Sequence, residues 1–180
     1  MNVFLIAATS LDGFIAEKVD QTSTDWTSKE DKKFFAERTK QARAMVFGST
    51  TFKTIGHPLK DRLNIVYSKN PAQFGLGENQ SDPSQLRFTQ ASPAELIAQL
   101  EKEGFTELAV CGGASIYNLF LRSGVVNKLY ITIEPILFCH GIKLIDSQMG
   151  GEMLTRLKLV SQKNLSDQTL LLEYDVVRAK

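Results

Sequence analysis

The stretch that decides the fold stands at the start of the chain: Val3-Phe4-Leu5-Ile6-Ala7-Ala8-Thr9. A continuous apolar run of this length predicts a strand that is buried on both faces. Further along the chain, other short apolar runs alternate with helix-like segments. This alternation predicts an α/β fold in which a mostly parallel central sheet is flanked by helices. The length of 180 residues fits a single domain over residues 1–180.

Sequence signals predict four helices, over residues 27–42, 49–55, 92–102 and 114–122. Thr27-Ser28-Lys29-Glu30 has the capping-box pattern, which predicts that the first helix begins at Thr27. Ser49 fits the N-cap of the second helix. Ser92 and Pro93 open the third helix in the same way, and Gly104 ends it.

Apolar and alternating runs predict the remaining strands. Besides the first, they cover residues 44–48, 63–68, 107–111 and 128–138, and two alternating runs cover residues 156–163 and 169–177. The turn Asn164-Leu165-Ser166-Asp167 lies between the two alternating runs, which therefore predict a C-terminal antiparallel hairpin. Residues 70–85 are rich in Gly, Pro, Asn, Ser and Gln, which predicts a surface loop.

Composition excludes several classes of function. The formal net charge is +1, from 21 basic and 20 acidic residues, and no block of like charge occurs. We therefore expect neither a nucleic-acid partner nor an anionic membrane partner. No run approaches the ~20 apolar residues of a membrane helix, so a cytoplasmic location is predicted. The cysteines Cys111 and Cys139 and the histidines His57 and His140 are scattered, which predicts no metal site.

Asp31 is the first residue with chemical content. On the predicted helix it shares a face with Phe34, Phe35, Arg38 and Ala42, and the two aromatic side chains turn that face inward. A carboxylate on a buried face needs a partner or a cleft, where it can hold an amidine-like edge through two hydrogen bonds. The alternative is a first-turn acid favoured by the helix dipole. From spacing alone the two interpretations are equally supported.

Two turns have the character of phosphate-binding sites. Gly112-Gly113 stands between a predicted strand and a helix, where backbone amides can approach an anion closely. Gly48-Ser49-Thr50-Thr51 stands in the same position after another strand, and Ser68-Lys69 follows the next strand. Such positions share one edge of a parallel sheet, which suggests a nucleotide bound along that edge. An ordinary tight turn at Gly112-Gly113 and a simple cap at Ser49 are the alternatives.

From Val3 to about Thr132 these residues together resemble dihydrofolate reductase. The motifs that carry the resemblance are Leu5 to Ala16, Trp26 with Asp31 and Phe34-Phe35, Gly48 to Phe52, Ile55 to Val66, Gly112-Gly113 with Ile116-Tyr117, and Thr132. Residues 133–144, and also Ser10 to Ala16, look more like the pyrimidine reductase of riboflavin synthesis, a relative with the same fold.

The resemblance implies the roles of individual residues. Asp31 and Thr132 would be the catalytic pair, with Asp31 on the 2-amino group and ring nitrogen of a pterin. The implied substrate-binding residues are Ala8, Phe35, Ile55, Leu59 and Arg62, the last of which would pair with the glutamate carboxylate. NADPH is the implied cofactor, and its binding residues would be Ala7, Ile15, Gly48, Ser49, Thr50, Thr51, Ser68, Lys69, Cys111, Gly112, Gly113, Ala114, Ser115, Ile116 and Tyr117.

Three functions remain open on this basis. The leading prediction is reduction of 7,8-dihydrofolate with NADPH, in which hydride goes to pterin C6 and a proton to N5. The nearest alternative is reduction of a riboflavin-pathway aminopyrimidine ribosyl phosphate, also with NADPH. The third is a non-catalytic nucleotide-binding domain, because a fold does not fix a function. A small-molecule substrate is expected in the first two cases, and the chain is expected to be a monomer or a homodimer.

Overall fold

The computed structural model describes residues 1–74, 84–145 and 155–177. An eight-stranded sheet forms its centre, and a two-stranded sheet lies beside it. The strands are β1 (Asn2–Ser10), β2 (Phe14–Ala16), β3 (Ala44–Gly48), β4 (Leu63–Tyr67), β5 (Leu86–Thr89), β6 (Glu107–Val110), β7 (Lys128–Glu134), β8 (Ile142–Lys143), β9 (Arg156–Asn164) and β10 (Leu170–Val177). The helices are α1 (Lys29–Ala42), α2 (Ser49–Ile55), α3 (Pro93–Lys102) and α4 (Ala114–Arg122).

The large sheet has the strand order β5-β4-β3-β6-β1-β7-β10-β9. The first six strands in this order are mutually parallel, and β10 pairs with both β7 and β9 in antiparallel fashion. This arrangement confirms the predicted α/β class, with its mostly parallel sheet and C-terminal hairpin. Among the described residues, no helix combines the length and the apolar character needed to cross a bilayer.

Alternate residues of β1 enter two different cores. Val3 and Leu5 pack with Leu96 and Phe120, from α3 and α4, on one face of the sheet. Phe4 and Ile6 pack on the other face, together with Ala42 and Phe52 from α1 and α2. Both faces are covered, which explains why β1 reads as one continuous apolar run. The parity also places the side chain of Ala8 on the α1 face.

Two of the predicted helix caps are wrong. The N-cap of α1 is Ser28, whose hydroxyl accepts from the amide of Asp31, and Thr27 with Glu30 forms no capping box there. The N-cap of α2 is Gly48, so Ser49 is the first helical residue and does not cap the helix. The predicted cap of α3 at Ser92 is confirmed, and Ser92 and Glu95 also bond reciprocally as a capping box.

The predicted strands differ from the structure mainly at their ends. β7 ends at Glu134 instead of residue 138, because Pro135 has no amide to continue the ladder. The predicted loop over residues 70–85 begins with a 3-10 turn, Pro71–Phe74, and its residues 75–83 lie outside the described part of the chain. Three short strands, β2, β5 and β8, were not predicted, because they are too short to show a period.

Candidate active site

Asp31 lies on the buried side of α1, as the sequence pattern predicts. It is 8% exposed, and Thr39 and Ala42 are the other buried residues of this helix. α1 follows the loop after β1, so its first turn stands at the carboxyl-terminal edge of the parallel strands. Opposite it, Ala8 of β1 pairs in register with Thr132 of β7, which is 1% exposed. The structure therefore brings Asp31, Thr132 and Ala8 to one place.

The surroundings of Asp31 raise the pKa of its carboxyl above the ordinary value. Burial is the main cause, because it penalises the charged form, and the negative charge of Glu134 acts in the same direction. The neighbouring Thr132 hydroxyl and the positive charge of Lys32 oppose the shift. No ion pair among the described residues includes Asp31. A carboxyl in this position can both bind a nitrogen-rich ring edge and hold a proton.

A second acid, Glu134, lies beside this position and was not predicted as a site residue. It is 3% exposed at the end of β7. Its Oε1 accepts from the amide of Ser28 at 2.9 Å and from the Ser28 hydroxyl at 2.8 Å, and its Oε2 accepts from the Thr169 hydroxyl at 3.1 Å. Because side chains alternate along a strand, the two-residue spacing from Thr132 places Glu134 on the α1 face. The spacing identifies Glu134 only once the packed sheet has placed Thr132 at this site.

The two predicted phosphate-binding turns are in direct contact. The amide of Gly48 donates to the carbonyl of Gly112 at 2.8 Å. A Cβ added to Gly113 would lie 3.3 Å from Oγ1 of Thr51, and one added to Gly48 would lie 3.3 Å from the Ile116 side chain. No side chain makes a capping hydrogen bond at the start of α2 or α4. These turns fit a nucleotide phosphate, because glycine lets an anion reach backbone amides closely.

Tyr117 connects the glycine turn to the acid site. Its hydroxyl donates to the carbonyl of Ile6 at 2.8 Å, and its ring lies under Gly112. Burial raises the pKa of Tyr117 well above the ordinary value, and the nearby Cys111 and Asp31 add to the rise. The influence of Asp31 shows that both groups share one region of the molecule. Tyr117 is 4% exposed, so its ring packs against the glycine turn as part of the buried core.

The predicted substrate wall is assembled on the same face of the sheet. Phe35, Ile55 and Leu59 all pack against the core cluster that contains Phe4 and Phe52. Arg62 is half-buried, with its side chain donating to the carbonyl of Lys60 at 2.9 Å and to the hydroxyl of Thr39. No carboxylate among the described residues lies within ion-pair distance of Arg62, so its charge is available to an anionic substrate.

The remaining predicted cofactor residues differ in accessibility. Ser68 is buried, and its hydroxyl accepts from the amide of Asn70 at 3.2 Å and from the Gln73 side chain at 3.1 Å. Lys69 is exposed beside it, and Thr50 is exposed on α2. Ala7 is buried in β1, and Ile15 is partly buried in β2. Cys111 is partly buried, and burial raises the pKa of its thiol far above the ordinary range.

Asp12 fixes the loop that follows β1. Its carboxylate accepts from the hydroxyl of Ser10 at 2.6 Å and from the amides of Phe138 and Cys139 at 3.3 and 2.7 Å. The Ser10 hydrogen bond is the main cause that lowers the pKa of Asp12. The loop with the resemblance to an active-site loop is thus tied to the chain after β7. Asp12 was quoted within that motif but received no predicted role.

Asp31 and Glu134 are called the acid pair below. The larger of two described clefts, of about 420 Å³, opens beside this pair and not along the predicted substrate wall. Its lining includes Trp26, Thr27, Ser28, Glu134 and Thr169. The second cleft, of about 280 Å³, includes Arg62 with Arg43 and Asp61. Within residues 1–74, 84–145 and 155–177, no three His, Cys, Asp or Glu side chains are grouped so that they could hold a metal ion.

The sequence of this chain is similar to a known protein family. The family model described as the RibD C-terminal domain matches residues 2–171. The chain belongs to the RibD C-terminal domain family. Membership places it among the oxidoreductases of the superfamily that also contains dihydrofolate reductase. The predicted resemblance to dihydrofolate reductase, with features of the riboflavin relative, is confirmed.

Individual relatives are distant in sequence. The uncharacterized protein YyaP of Bacillus subtilis is 24% identical over 96% of this chain and 93% of its own. The dihydrofolate reductase of Haemophilus influenzae is 27% identical over 73% of this chain and 71% of its own. The comparisons support the riboflavin-type alternative better than the leading prediction of dihydrofolate reduction.

Solved structures share the fold of this RibD C-terminal domain. A putative riboflavin biosynthesis protein from Shewanella sp. PV-4 matches with a TM-score of 0.80 at 21% identity, over 99% of this chain and 100% of the other. A diaminohydroxyphosphoribosylaminopyrimidine deaminase/5-amino-6-(5-phosphoribosylamino)uracil reductase from Thermotoga maritima matches with a TM-score of 0.76 at 16% identity. The match covers 98% of this chain and 56% of the other. Dihydrofolate reductase from Enterococcus faecalis, complexed with NADP(H), matches with a TM-score of 0.66 at 23% identity, over 97% of this chain and 96% of the other.

These findings leave some predictions as they were. The roles of the individual site residues, the single domain over residues 1–180, the cytoplasmic location and the choice between monomer and homodimer all stay predictions. What the structure adds is proximity. The acid pair and the two glycine turns lie at the carboxyl-terminal edge of the sheet, whereas Arg62 precedes β4 and lies at the other end of that strand.

Proposed function

We propose that this chain is an NADPH-dependent reductase of a riboflavin-pathway aminopyrimidine that carries a ribosyl phosphate. The observation that carries the proposal is Asp31, a carboxyl 8% exposed beside Thr132 at the carboxyl-terminal edge of the sheet. Membership in the RibD C-terminal domain family supports this substrate class. So does the reductase activity named for the Thermotoga maritima relative.

The proposed reaction reduces a carbon–nitrogen double bond. In its ring-opened form, the ribosylamino group is an imine between ribose C1′ and the amino nitrogen. Hydride adds to C1′ and a proton adds to the nitrogen, so the double bond becomes the single bond of a ribitylamino product. Reduced nicotinamide supplies the hydride when it is bound.

The chain's own residues would bind, orient and shield the substrate. Asp31 would hold the N–H edge of the pyrimidine, and Thr132 would fix the carboxyl in place. Because its pKa is raised, the Asp31 carboxyl would also exchange a proton with the substrate nitrogen, directly or through water. Arg62 would meet the anionic end of the substrate. The covered position of Asp31 would exclude bulk water and strengthen these interactions.

The cofactor would lie across the two glycine turns. The amides at Gly113 and at the start of α4 would meet its phosphates, with Thr51 beside them. Lys69 is exposed just after β4, the strand that pairs with β3. It would contact the extra phosphate that distinguishes NADPH from NADH, because Ser49 offers no charge.

Dihydrofolate is the second candidate, and Arg62 favours it. A half-buried guanidinium that forms no ion pair with a carboxylate of the described residues suits the glutamate tail of a folate as well as a phosphate. Reduction of dihydrofolate also adds hydride to carbon and a proton to nitrogen across one double bond. The same Asp31 would therefore serve either substrate.

A substrate panel tests the proposal. The purified chain is mixed with NADPH and either 5-amino-6-(5-phosphoribosylamino)uracil or dihydrofolate, and loss of NADPH absorbance is followed. We expect oxidation with the aminopyrimidine and a slower rate when NADH replaces NADPH. Oxidation with dihydrofolate alone would transfer the assignment to the second candidate, and oxidation with neither substrate would refute both.

A further inference from the structure

Glu134 is a buried acid that the proposed reaction does not use. We propose that Glu134 is a positioning residue, which ties the first turn of α1 to the end of β7 and supplies the negative charge that controls protonation of Asp31. The effect on catalysis rests on the proposed function. The effect on Asp31 itself does not, because it concerns only groups of this chain.

The tie is a continuous chain of hydrogen bonds. Oε1 of Glu134 accepts from both the amide and the hydroxyl of Ser28, at 2.9 and 2.8 Å. The Ser28 hydroxyl oxygen in turn accepts from the amide of Asp31 at 3.1 Å. One residue thus links the strand that carries Thr132 to the helix turn that carries Asp31. A shift of Glu134 would move the two predicted catalytic residues relative to each other.

The other carboxylate oxygen fixes Glu134 itself. Oε2 accepts from the hydroxyl of Thr169, which precedes β10 and is 3% exposed. Glu134 accepts in all three of these hydrogen bonds, as an acceptor-only carboxylate does. Three donors from two different elements give the carboxylate a defined place, although its position is almost completely buried. Burying a charged carboxylate costs free energy, and these three hydrogen bonds offset part of that cost.

Glu134 also acts on Asp31 electrostatically, because its negative charge opposes ionisation of the Asp31 carboxyl and so raises its pKa. Other charged or titratable groups around the pair are Glu30 and Lys32 on α1, Tyr117 on α4 and Asp167 in the turn before β10.

A titration of Asp31 tests this inference without any substrate. The side-chain carboxyl of Asp31 is followed by carbon NMR over pH in the wild-type protein and in Glu134→Gln, and its signal is identified by its loss in Asp31→Asn. Glutamine keeps an oxygen acceptor for Ser28 but removes the charge. We expect Asp31 to titrate at lower pH in Glu134→Gln than in the wild type. An unchanged titration would overturn the inference.

Glu30→Gln is the matched control, because it removes the same charge from the first turn of the same helix. Glu30 has only a distant partner, Lys29 at 3.9 Å, and makes no bond to Ser28 among the described contacts. We expect this variant to titrate like the wild type. An equal shift in both variants would show a general field effect and contradict a special role for Glu134.

Kinetics separate this inference from the proposed function. If the wild type reduces the aminopyrimidine, we expect the pH profile of kcat for Glu134→Gln to move to lower pH, with a smaller effect on KM. A uniform loss of kcat at every pH, with no displacement, would reduce Glu134 to a structural role. A shifted Asp31 titration in a protein that reduces neither substrate would uphold the inference and refute the proposed function.

Discussion

The backbone amide of Gly48 donates to the carbonyl of Gly112 across 2.8 Å. This hydrogen bond joins the turns that follow β3 and β6, two neighbouring strands of the sheet. Residues 48 and 112 are far apart in the chain, but their turns form one continuous surface at the carboxyl-terminal edge. A ligand with two phosphates could therefore contact both turns at once.

The first prediction separates the two glycines of the second turn. Gly113 has a φ of −69°, which any residue adopts, so Gly113→Ala keeps the backbone but adds a methyl group 3.3 Å from Thr51. We expect it to weaken NADPH binding about tenfold, or about 1.4 kcal/mol, with little change in stability. Fluorescence titration with NADPH measures the first quantity and thermal unfolding the second.

Gly112→Ala is the companion variant. Gly112 has a φ of 104°, and its added Cβ would lie 3.0 Å from the Tyr117 ring. We expect a loss of about 1–3 kcal/mol of stability from backbone strain and overlap. If Gly113→Ala left NADPH affinity at the wild-type level, the phosphate-binding role of this turn would be wrong.

The second prediction concerns the cost of keeping Asp31. Its pKa is raised in the folded protein, above the ordinary value of 3.8 that applies to the unfolded chain. Between these two values the native state holds more protons, so stability falls as pH rises through that window. Above it the buried charge is a full penalty. We therefore expect Asp31→Asn to be more stable than the wild type at neutral pH.

The stability gain of Asp31→Asn should shrink as pH falls towards the ordinary carboxyl range, where the wild-type carboxyl is protonated too. Urea unfolding at several pH values measures this trend. Asp20→Asn, an exposed exchange of the same kind, should show no such gain. A loss of stability in Asp31→Asn at neutral pH would mean that the charge of Asp31 stabilises the fold, contrary to the burial argument.

The third prediction compares two Arg–Glu pairs of equal geometry. Arg38 binds both carboxylate oxygens of Glu107 at 2.8 Å, and its guanidinium lies 3.8 Å from the ring centre of Phe4. The Arg38 side chain is only 12% exposed. Arg38→Met would leave Glu107 without its cation, and we expect a loss of about 2–4 kcal/mol in denaturant unfolding.

Arg87→Met is the matched exchange for the same measurement. Arg87 binds Glu103 at 2.9 and 2.8 Å, but the two side chains are 32% and 40% exposed. Solvent screens this pair, so we expect a change below about 1 kcal/mol. Equal losses in the two variants would argue against burial as the reason for the importance of Arg38.

The inward face of α1 could be predicted because it depends on local spacing alone. Residues 31, 34, 35, 38 and 42 repeat with the helical period, and the structure places Asp31 and Ala42 among the buried residues as expected. The cap of this helix could not be predicted in the same way. Thr27 and Ser28 both carry hydroxyls, and the choice of Ser28 is coupled to Glu134, 106 residues away.

The same reason explains why the sequence predicted Asp31 as a site residue but not Glu134. The helical spacing singled out Asp31, while Glu134 belongs to a strand that reaches the site through the register of β1 with β7. Ser10 pairs with Glu134 in that register, but the residue pattern of neither strand predicts which residues pair. Long-range register is a property of the packed sheet, which a single sequence does not display.

The central claim is that the Asp31 carboxyl acts on the substrate in an NADPH-dependent reduction, and single-turnover mixing tests it most directly. NADPH-loaded wild-type protein and Asp31→Asn are each mixed with 5-amino-6-(5-phosphoribosylamino)uracil, and NADPH oxidation is followed. We predict oxidation by the wild type and a rate at least about a hundredfold lower in Asp31→Asn, with NADPH affinity unchanged. Equal oxidation rates in the two proteins would contradict it.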